Sequence, residues 1–329
     1  MDVTRRGLLA LGAGAALAGT SLAGLSAASA ADYPARTVRL VVPFPPGGTT
    51  DVVGRLVASA LSEELGKPVI VDNRGGAGGV IGADNVAKSP PDGYTLMVFH
   101  IGMVYGPALY ASLPYDVLKD FSPVGLIGIA PSALVVTPSL PVNNVQEFIA
   151  LAKSKPGALN FGSAGVGTSS HLAPELFNIV AGVKTTHVPY KGGGPALTGT
   201  MGGEVQFMIE TAGSLVPFVN SGKLKILGVS TPERFSAMPN VPTIAESGLP
   251  DYVYSTWYGM WAPAGTPPDV VKILSNALSK VLATEKLKSA LQAAGIDEKA
   301  MPPDQFAALI KADLTKWTKI IKDAGITAQ

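Results

Sequence analysis

Residues 41–51 read VVPFPPGGTTD, and this stretch decides how the chain starts to fold. The apolar run that ends at Val42 predicts a buried β-strand. Two prolines and two glycines follow, and they cannot continue a strand. Thr49, Thr50 and Asp51 then supply the side chains of a helix start, so a helix is predicted over 52–65. A strand, a glycine turn and a helix start together direct unpaired N–H groups to one point. This arrangement favours the binding of an anion.

A second turn, residues 161–171 (FGSAGVGTSSH), repeats this order of strand, glycine turn and helix start. Its hydroxyl groups can donate hydrogen bonds beside free N–H groups, which suits one carboxylate. The hydroxyl-bearing residues are Ser163, Thr168, Ser169 and Ser170. A plain connection from strand to helix, with an ordinary N-cap, is the alternative interpretation of both turns.

Apolar runs alternate with helical patterns along most of the chain, which predicts βα units, largely parallel sheets and an α/β fold. The C-terminal part is predicted to be helical without strands, over 269–282, 285–294 and 303–324, with these helices packed back onto the first sheet. The predicted strands are 38–42, 69–72, 95–99, 124–129, 134–137, 159–162, 186–188, 205–209, 226–230 and 258–262.

The chain has 329 residues, more than a typical single domain, so two lobes are predicted. The sequence shows neither a repeat nor a low-complexity linker. The lobes are therefore expected to be joined by crossovers near 130–136 and 255–261. Lobe 1 is predicted to comprise residues 31–131 and 255–329, and lobe 2 residues 132–254.

The first thirty residues have the features of an export signal. Arg5 and Arg6 precede a weakly apolar Ala/Gly/Leu stretch, and small residues end it at Ala30. This pattern favours the twin-arginine route with cleavage after Ala30 over the alternative of a membrane anchor. Cleavage would leave equal numbers of acidic and basic residues. The predicted mature protein is soluble and periplasmic, with no electrostatic footprint for nucleic acid.

Cofactor motifs are absent from the sequence. No lysine follows Gly47 and Gly48, which excludes a Walker-type phosphate loop. The stretch 76–82 (GAGGVIG) departs from dinucleotide-binding spacing, because Ile81 stands where the third glycine belongs. No cofactor is therefore expected.

A metal site or a catalytic nucleophile has little support either. The chain has three histidines, distant in sequence, and no cysteine, so neither a metal site nor a disulfide is expected. Neither Ser163 nor Ser169 fits the G-x-S-x-G pattern of a serine hydrolase. Ser–His–Asp catalysis on another pattern stays open.

Three further residues are candidates for a ligand cleft. Glu210 ends a predicted strand and either accepts a ligand N–H or O–H group or lies in solvent. Tyr190, in a glycine-rich loop after a strand, either faces the ligand or packs over its loop. His100 stands at the end of another strand, where clefts form in α/β proteins.

Several motifs together resemble the solute receptors of tripartite tricarboxylate transporters, the Bug-type family. They are PFPPGGTTD (43–51), VIVDNRGGAGGVIGA (69–83), PDGYTL (91–96), FGSAGVGTSSHLAPELF (161–177), HVPYKGGGPALT (187–198) and VPTIAESGLP (241–250). The resemblance implies a two-lobed, type II-like periplasmic-binding fold. It also implies a small organic anion held between the lobes and docking on a membrane transporter.

The resemblance further implies that the two glycine turns hold one carboxylate through main chain and hydroxyl groups. The residues concerned are Phe44, Pro45, Gly47, Gly48 and Thr49 in the first turn, and Ser163, Ala164, Gly165, Thr168 and Ser169 in the second. The family commonly has aspartate where this chain has Glu210, and a Gly/Ser/Thr-rich segment where it has residues 99–104.

These observations predict a monomeric, non-catalytic periplasmic receptor for a small carboxylate. An exported hydrolase or lyase on a similar scaffold is the first alternative. A ligand-sensing partner of a membrane kinase is the second.

Overall fold

The computed structural model describes residues 33–190, 192–235 and 237–327. The predicted export signal, residues 1–30, lies outside this part of the chain. The described strands are β1 (Val38–Val42), β2 (Val69–Asn73), β3 (Thr95–His100), β4 (Phe121–Val136), β5 (Asn160–Ser163), β6 (Thr186–Pro189), β7 (Phe207–Thr211), β8 (Lys225–Val229), β9 (Ser255–Pro263) and β10 (Asp297–Met301). The described helices are α1 (Thr49–Leu65), α2 (Val80–Ala87), α3 (Gly102–Leu109), α4 (Val145–Ser154), α5 (Ser169–Ala181), α6 (Gly193–Gly202), α7 (Ala212–Asn220), α8 (Pro268–Leu282), α9 (Glu285–Ala293) and α10 (Pro303–Asp323).

The strands form one continuous sheet in the order β2-β1-β3-β9-β4-β7-β5-β6, with β8 and β10 also paired to β4. Strand β1 pairs in parallel with β2 and β3, and β5 pairs in parallel with β6 and β7. All pairs that involve β4 or β9 are antiparallel. The predicted α/β class is confirmed, but the pairing is mixed and not largely parallel. Parallel pairs lie inside two βα groups, and β4 and β9 connect these groups through antiparallel pairs.

Strand β4 is a single strand of 16 residues, where the sequence pattern predicted two shorter ones. Its first part pairs with β9 and its second part with β7 and β8. Pro131 lies where the pairing partner changes from β9 to β7. The proline and the small residues around it interrupt the hydrophobic pattern, although the backbone stays extended through them.

The prediction of a C-terminal part without strands is wrong. Strand β10, with the sequence DEKAM, pairs antiparallel with the first part of β4. This strand is half-buried or exposed along its length and has no apolar alternation, so hydrophobic periodicity gives no signal for it. It forms because β4 supplies backbone hydrogen-bond partners along its edge.

Helices cover the sheet and bury its apolar side chains. Helices α1 and α8 pack together, and α8 and α10 both contact β4, so the C-terminal helices return to the first sheet as predicted. Aromatic rings fill the space under α10, where Phe306 contacts Trp257 and Trp261 at centroid distances of 5.5 and 5.0 Å. Within the described residues, no helix has both the length and the apolar character needed to cross a membrane.

Candidate functional site

The two glycine turns predicted from the sequence line one cavity of about 590 Å³. Each turn follows the carboxyl end of a parallel strand, β1 or β5, and leads into the N-terminus of a helix, α1 or α5. Ligands of open α/β sheets bind at this edge. The cavity therefore lies where both helix dipoles place partial positive charge.

The first turn is fixed by Asp51, which is 3% exposed. Helix α1 starts at Thr49 with Gly48 as its N-cap and without a side-chain cap, earlier than the predicted residue 52. Asp51 instead accepts the Gly47 N–H at 2.9 Å and pairs with Arg55 at 3.0 Å. Burial raises the pKa of the Asp51 carboxyl, but hydrogen bonds from Arg55 and Gly47 outweigh this effect and leave the pKa below its ordinary value. The turn is thus held by an ionised, paired carboxylate.

Backbone N–H groups at the start of α1 are left for a ligand. The first backbone hydrogen bond of the helix runs from Val52 N to Gly48 O at 3.0 Å. Among the described residues, nothing accepts from the N–H groups of Thr49 and Thr50, as is usual for a first helical turn. Both residues line the cavity.

The second turn offers the same type of donor. Helix α5 starts at Ser169, and Thr168 O accepts from both His171 N and Leu172 N at 3.0 Å. The N–H groups of Ser169 and Ser170 have no acceptor within the described part of the chain. Two helix N-termini therefore present free N–H groups to one cavity.

The hydroxyl groups of the second turn mostly shape the turn itself. Thr168 Oγ1 donates to Gly165 O at 2.7 Å, and Ser170 Oγ accepts from Ala164 N at 3.0 Å. Ser163 is fully buried outside the cavity lining, and its Oγ lies 2.5 Å from His187 Nε2. The Ser169 hydroxyl makes no hydrogen bond within the turn and lies beside the Tyr254 hydroxyl instead.

A stacked pair of histidines outside the cavity lining holds the second turn in place. The rings of His171 and His187 are 3.7 Å apart and nearly parallel. His171 Nδ1 accepts the Gly167 N–H at 3.0 Å. Burial lowers the pKa of both imidazoles to about 4, so both are neutral at pH 7. Sequence spacing gave no signal for this pair, because α5 and β6 bring the two residues together.

His100 and Glu210 both line the cavity, at the ends of β3 and β7. The His100 ring stacks on Phe44 at 4.8 Å, and its Nδ1 accepts the Gly102 N–H at 2.9 Å. Burial lowers the pKa of His100 to about 4, so the neutral ring carries its proton on Nε2. Glu210 Oε1 accepts the Thr211 N–H at 2.8 Å. The lining includes no described lysine or arginine.

Most residues predicted from the sequence line this cavity, and four do not. Those in the lining are Phe44, Pro45, Gly48, Thr49, His100, Ala164, Thr168, Ser169 and Glu210. Gly47, Ser163, Gly165 and Tyr190 lie outside it. Gly47 and Gly165 belong to the frames of the turns, and the Tyr190 hydroxyl donates to Glu204 at 3.1 Å.

The sequence pattern does not reveal two sides of the cavity. Helix α3 contributes Tyr105, Leu109 and Tyr110, which look like ordinary core positions in an apolar helix. Strand β9 contributes Thr256 and Tyr258, which belong to a predicted crossover between the lobes and not to a predicted ligand site. Among the described residues, no group of three or more His, Asp or Glu side chains could hold a metal ion.

Comparison with known proteins gives a consistent result. The model of the tripartite tricarboxylate transporter family receptor matches residues 53–326. Protein BugT of Bordetella pertussis is 39% identical over 306 residues, which cover 92% of this chain and 94% of BugT.

Two solved structures from Rhodopseudomonas palustris are similar over nearly their whole length. A protein solved with adipate has a TM-score of 0.79 and 37% identity, covering 90% of this chain and 100% of that one. MatC, solved with bound malate, has a TM-score of 0.73 and 35% identity, covering 88% of this chain and 100% of MatC.

Proposed function

This chain belongs to the tripartite tricarboxylate transporter receptor family, and on that premise we propose that it captures a small organic carboxylate in the periplasm and delivers it to a membrane transporter. The observation that carries the proposal is the meeting of two helix N-termini at one cavity. Thr49, Thr50, Ser169 and Ser170 offer backbone N–H groups there without a partner among the described residues.

A carboxylate fits these donors without a basic side chain. Its two oxygens accept several hydrogen bonds, and each helix terminus adds the field of its aligned peptide dipoles. The similar proteins solved with adipate and with malate support the assignment, because both of those ligands are carboxylates.

We further propose that residues 31–131 and 255–329 form one lobe and residues 132–254 the other, with the ligand between them. The first turn then belongs to lobe 1 and the second to lobe 2. Gly167 of the second turn lies against Leu109, where a Cβ on the glycine would stand 2.9 Å from the leucine side chain. A ligand held by both turns would draw the lobes together.

A screen of mono- and dicarboxylates by thermal shift is expected to find a stabilising compound. A ligand at a hundredfold excess over Kd stabilises the folded state by about 2.7 kcal/mol. Small-angle scattering is expected to show compaction with the same compound, and the compound should be recovered unchanged. A screen in which no carboxylate stabilises the protein would contradict the proposal.

Receptor activity without catalysis is proposed for this cavity. Ser163 and His187 are close enough for a nucleophile and a base, at 2.5 Å. However, the Ser163 side chain is fully buried and outside the cavity lining, and its Oγ also accepts the Gly165 N–H at 3.1 Å. A substrate in the cavity would not reach this hydroxyl.

We also propose that the receptor acts as a monomer.

We further propose that the chain is exported by the twin-arginine route. Arg5 and Arg6 are expected to direct translocation, with cleavage between Ala30 and Ala31. N-terminal sequencing of periplasmic material should therefore start at Ala31. Replacement of both arginines by lysine should block export; unaffected export would indicate the general secretory pathway.

A further inference from the structure

We propose that the ligand is a zwitterion, with its carboxylate at the two helix N-termini and its protonated amine at the Glu210 carboxylate. This inference rests on the proposed function, since it requires that the cavity binds a carboxylate. It adds the chemical class of the remainder of the ligand.

Glu210 is held in place by the sheet. Strand β7 pairs with β4, and Glu210 stands opposite Ala133 in this register. Its Oε1 accepts the Thr211 N–H at 2.8 Å, and its Oε2 lies beside Gly193 at the start of α6. Among the described residues that line the cavity, Glu210 is the one with a formal charge at neutral pH. The cavity thus presents a fixed carboxylate.

An enclosed carboxylate determines which ligands are favourable. When a ligand fills the cavity, the Glu210 carboxylate loses water, and this loss costs free energy unless a donor or a cation replaces the water. A second carboxylate on the ligand would place a like charge near it. An ammonium group supplies an opposite charge and charge-assisted hydrogen bonds. A ligand with one carboxylate and one ammonium therefore satisfies both parts of the cavity.

A second acceptor lies on β9, which β4 separates from β7 in the sheet. Thr256, in β9, is 4% exposed and lines the cavity. Its hydroxyl has no partner at full hydrogen-bond geometry among the described residues, and the Tyr254 hydroxyl lies near it. Strands β9 and β7 both pair with β4, with Thr256 opposite Ala130 and Glu210 opposite Ala133. An ammonium has three donors, so those that do not bind Glu210 remain for another acceptor in the lining of the same cavity.

His100 favours the opposite class of ligand, but more weakly. Its Nε2–H is a single neutral donor, which suits an oxygen acceptor such as a second carboxylate. An interaction with the full charge of Glu210 outweighs one neutral hydrogen bond in an enclosed site. The balance of these groups therefore selects the zwitterion over the dicarboxylate.

Calorimetry with matched ligands tests this selection. At each chain length, an ω-amino acid is compared with the dicarboxylate, the hydroxy acid and the plain monocarboxylate, and the common α-amino acids form a further series. The best amino acid is expected to bind about 10- to 100-fold more tightly than the corresponding dicarboxylate, the range of a charge-assisted hydrogen bond.

The substitution Glu210→Gln is expected to weaken amino-acid binding by the same factor and to leave or improve dicarboxylate binding. Glu204→Gln is the matched control, because Glu204 is exposed and lies outside the cavity lining. It should bind every ligand like the wild type. If Glu210→Gln does not fold, the ranking of ligands by the wild-type protein decides the question alone.

The outcomes separate this inference from the proposed function. A dicarboxylate or hydroxy acid that binds the wild type more tightly than every amino acid would overturn the zwitterion assignment and leave the carboxylate receptor intact. An unchanged ligand preference in folded Glu210→Gln would also overturn it. Failure of every carboxylate to bind would overturn the proposed function itself.

Discussion

The substitution Ser169→Pro is expected to weaken carboxylate binding about 10- to 100-fold, because it removes an N–H group that faces the cavity. Ser169 is the first residue of α5, where proline is well tolerated. The preceding Thr168 has φ −76° and ψ 164°, the extended conformation that a residue before proline prefers. Ser169→Ala is the control, since it removes the hydroxyl and keeps the N–H. Calorimetry should show a much smaller loss for alanine than for proline.

The first turn allows the same experiment. Thr49 is the first residue of α1, and Gly48 before it has φ −78° and ψ 164°. Thr49→Pro should weaken binding by a similar factor, and Thr49→Val, which keeps the N–H, is its control. Because both N–H groups bind the same carboxylate, their effects are coupled, and the two prolines together should weaken binding by more than either proline alone. Wild-type affinity in a folded double-proline variant would exclude main-chain recognition.

Mild acid is expected to destabilise the protein, and the histidines are the main cause. Burial lowers the pKa of His100, His171 and His187 from 6.5 to about 4. Between these values the unfolded chain binds protons that the folded chain does not bind. The free energy of unfolding is therefore highest above pH 6.5 and falls as the pH decreases towards 4. Each histidine should contribute about 1 kcal/mol of this loss between pH 7 and pH 5.5.

Urea unfolding at pH 7 and pH 5.5 measures the loss, and NMR of the imidazole C–H signals assigns it. The chain has three histidines, so each titration can be followed separately. Burial raises the pKa of Glu175 and of Asp313. As the pH falls further, the folded protein protonates these carboxyls more readily than the unfolded chain does, and this offsets part of the loss of stability. Histidine midpoints near 6.5, or equal stability at both pH values, would contradict the prediction.

The sequence predicts those parts of the site that depend on local chain chemistry. Glycine, proline and hydroxyl residues after an apolar run identify a strand, a turn and a helix start, and both turns were located in this way. The start of α1 was placed too late, because Gly48 caps the helix and Asp51 stabilises the turn from inside the helix. Local sequence patterns therefore predict that a helix is present, but not its first residue or the hydrogen bonds that each side chain makes.

Features set by long-range contacts could not be predicted in this way. Strand β10 has no apolar pattern and depends on the edge of β4. Ser163 looks like a ligand-binding hydroxyl in the sequence, yet its hydroxyl faces His187, which β6 brings beside β5. Tyr105 and Tyr110 reach the cavity because α3 packs there, which an apolar helical pattern does not reveal.

The central claim is that one carboxylate binds the main chain of both turns. Titration of ¹⁵N-labelled protein with the best ligand from the screen, followed through backbone amide signals, tests it most directly. The N–H signals of Thr49, Thr50, Ser169 and Ser170 should all shift with one common Kd, in the direction expected for a stronger hydrogen bond. Saturable binding that shifts the amides of one turn or of neither would contradict the claim.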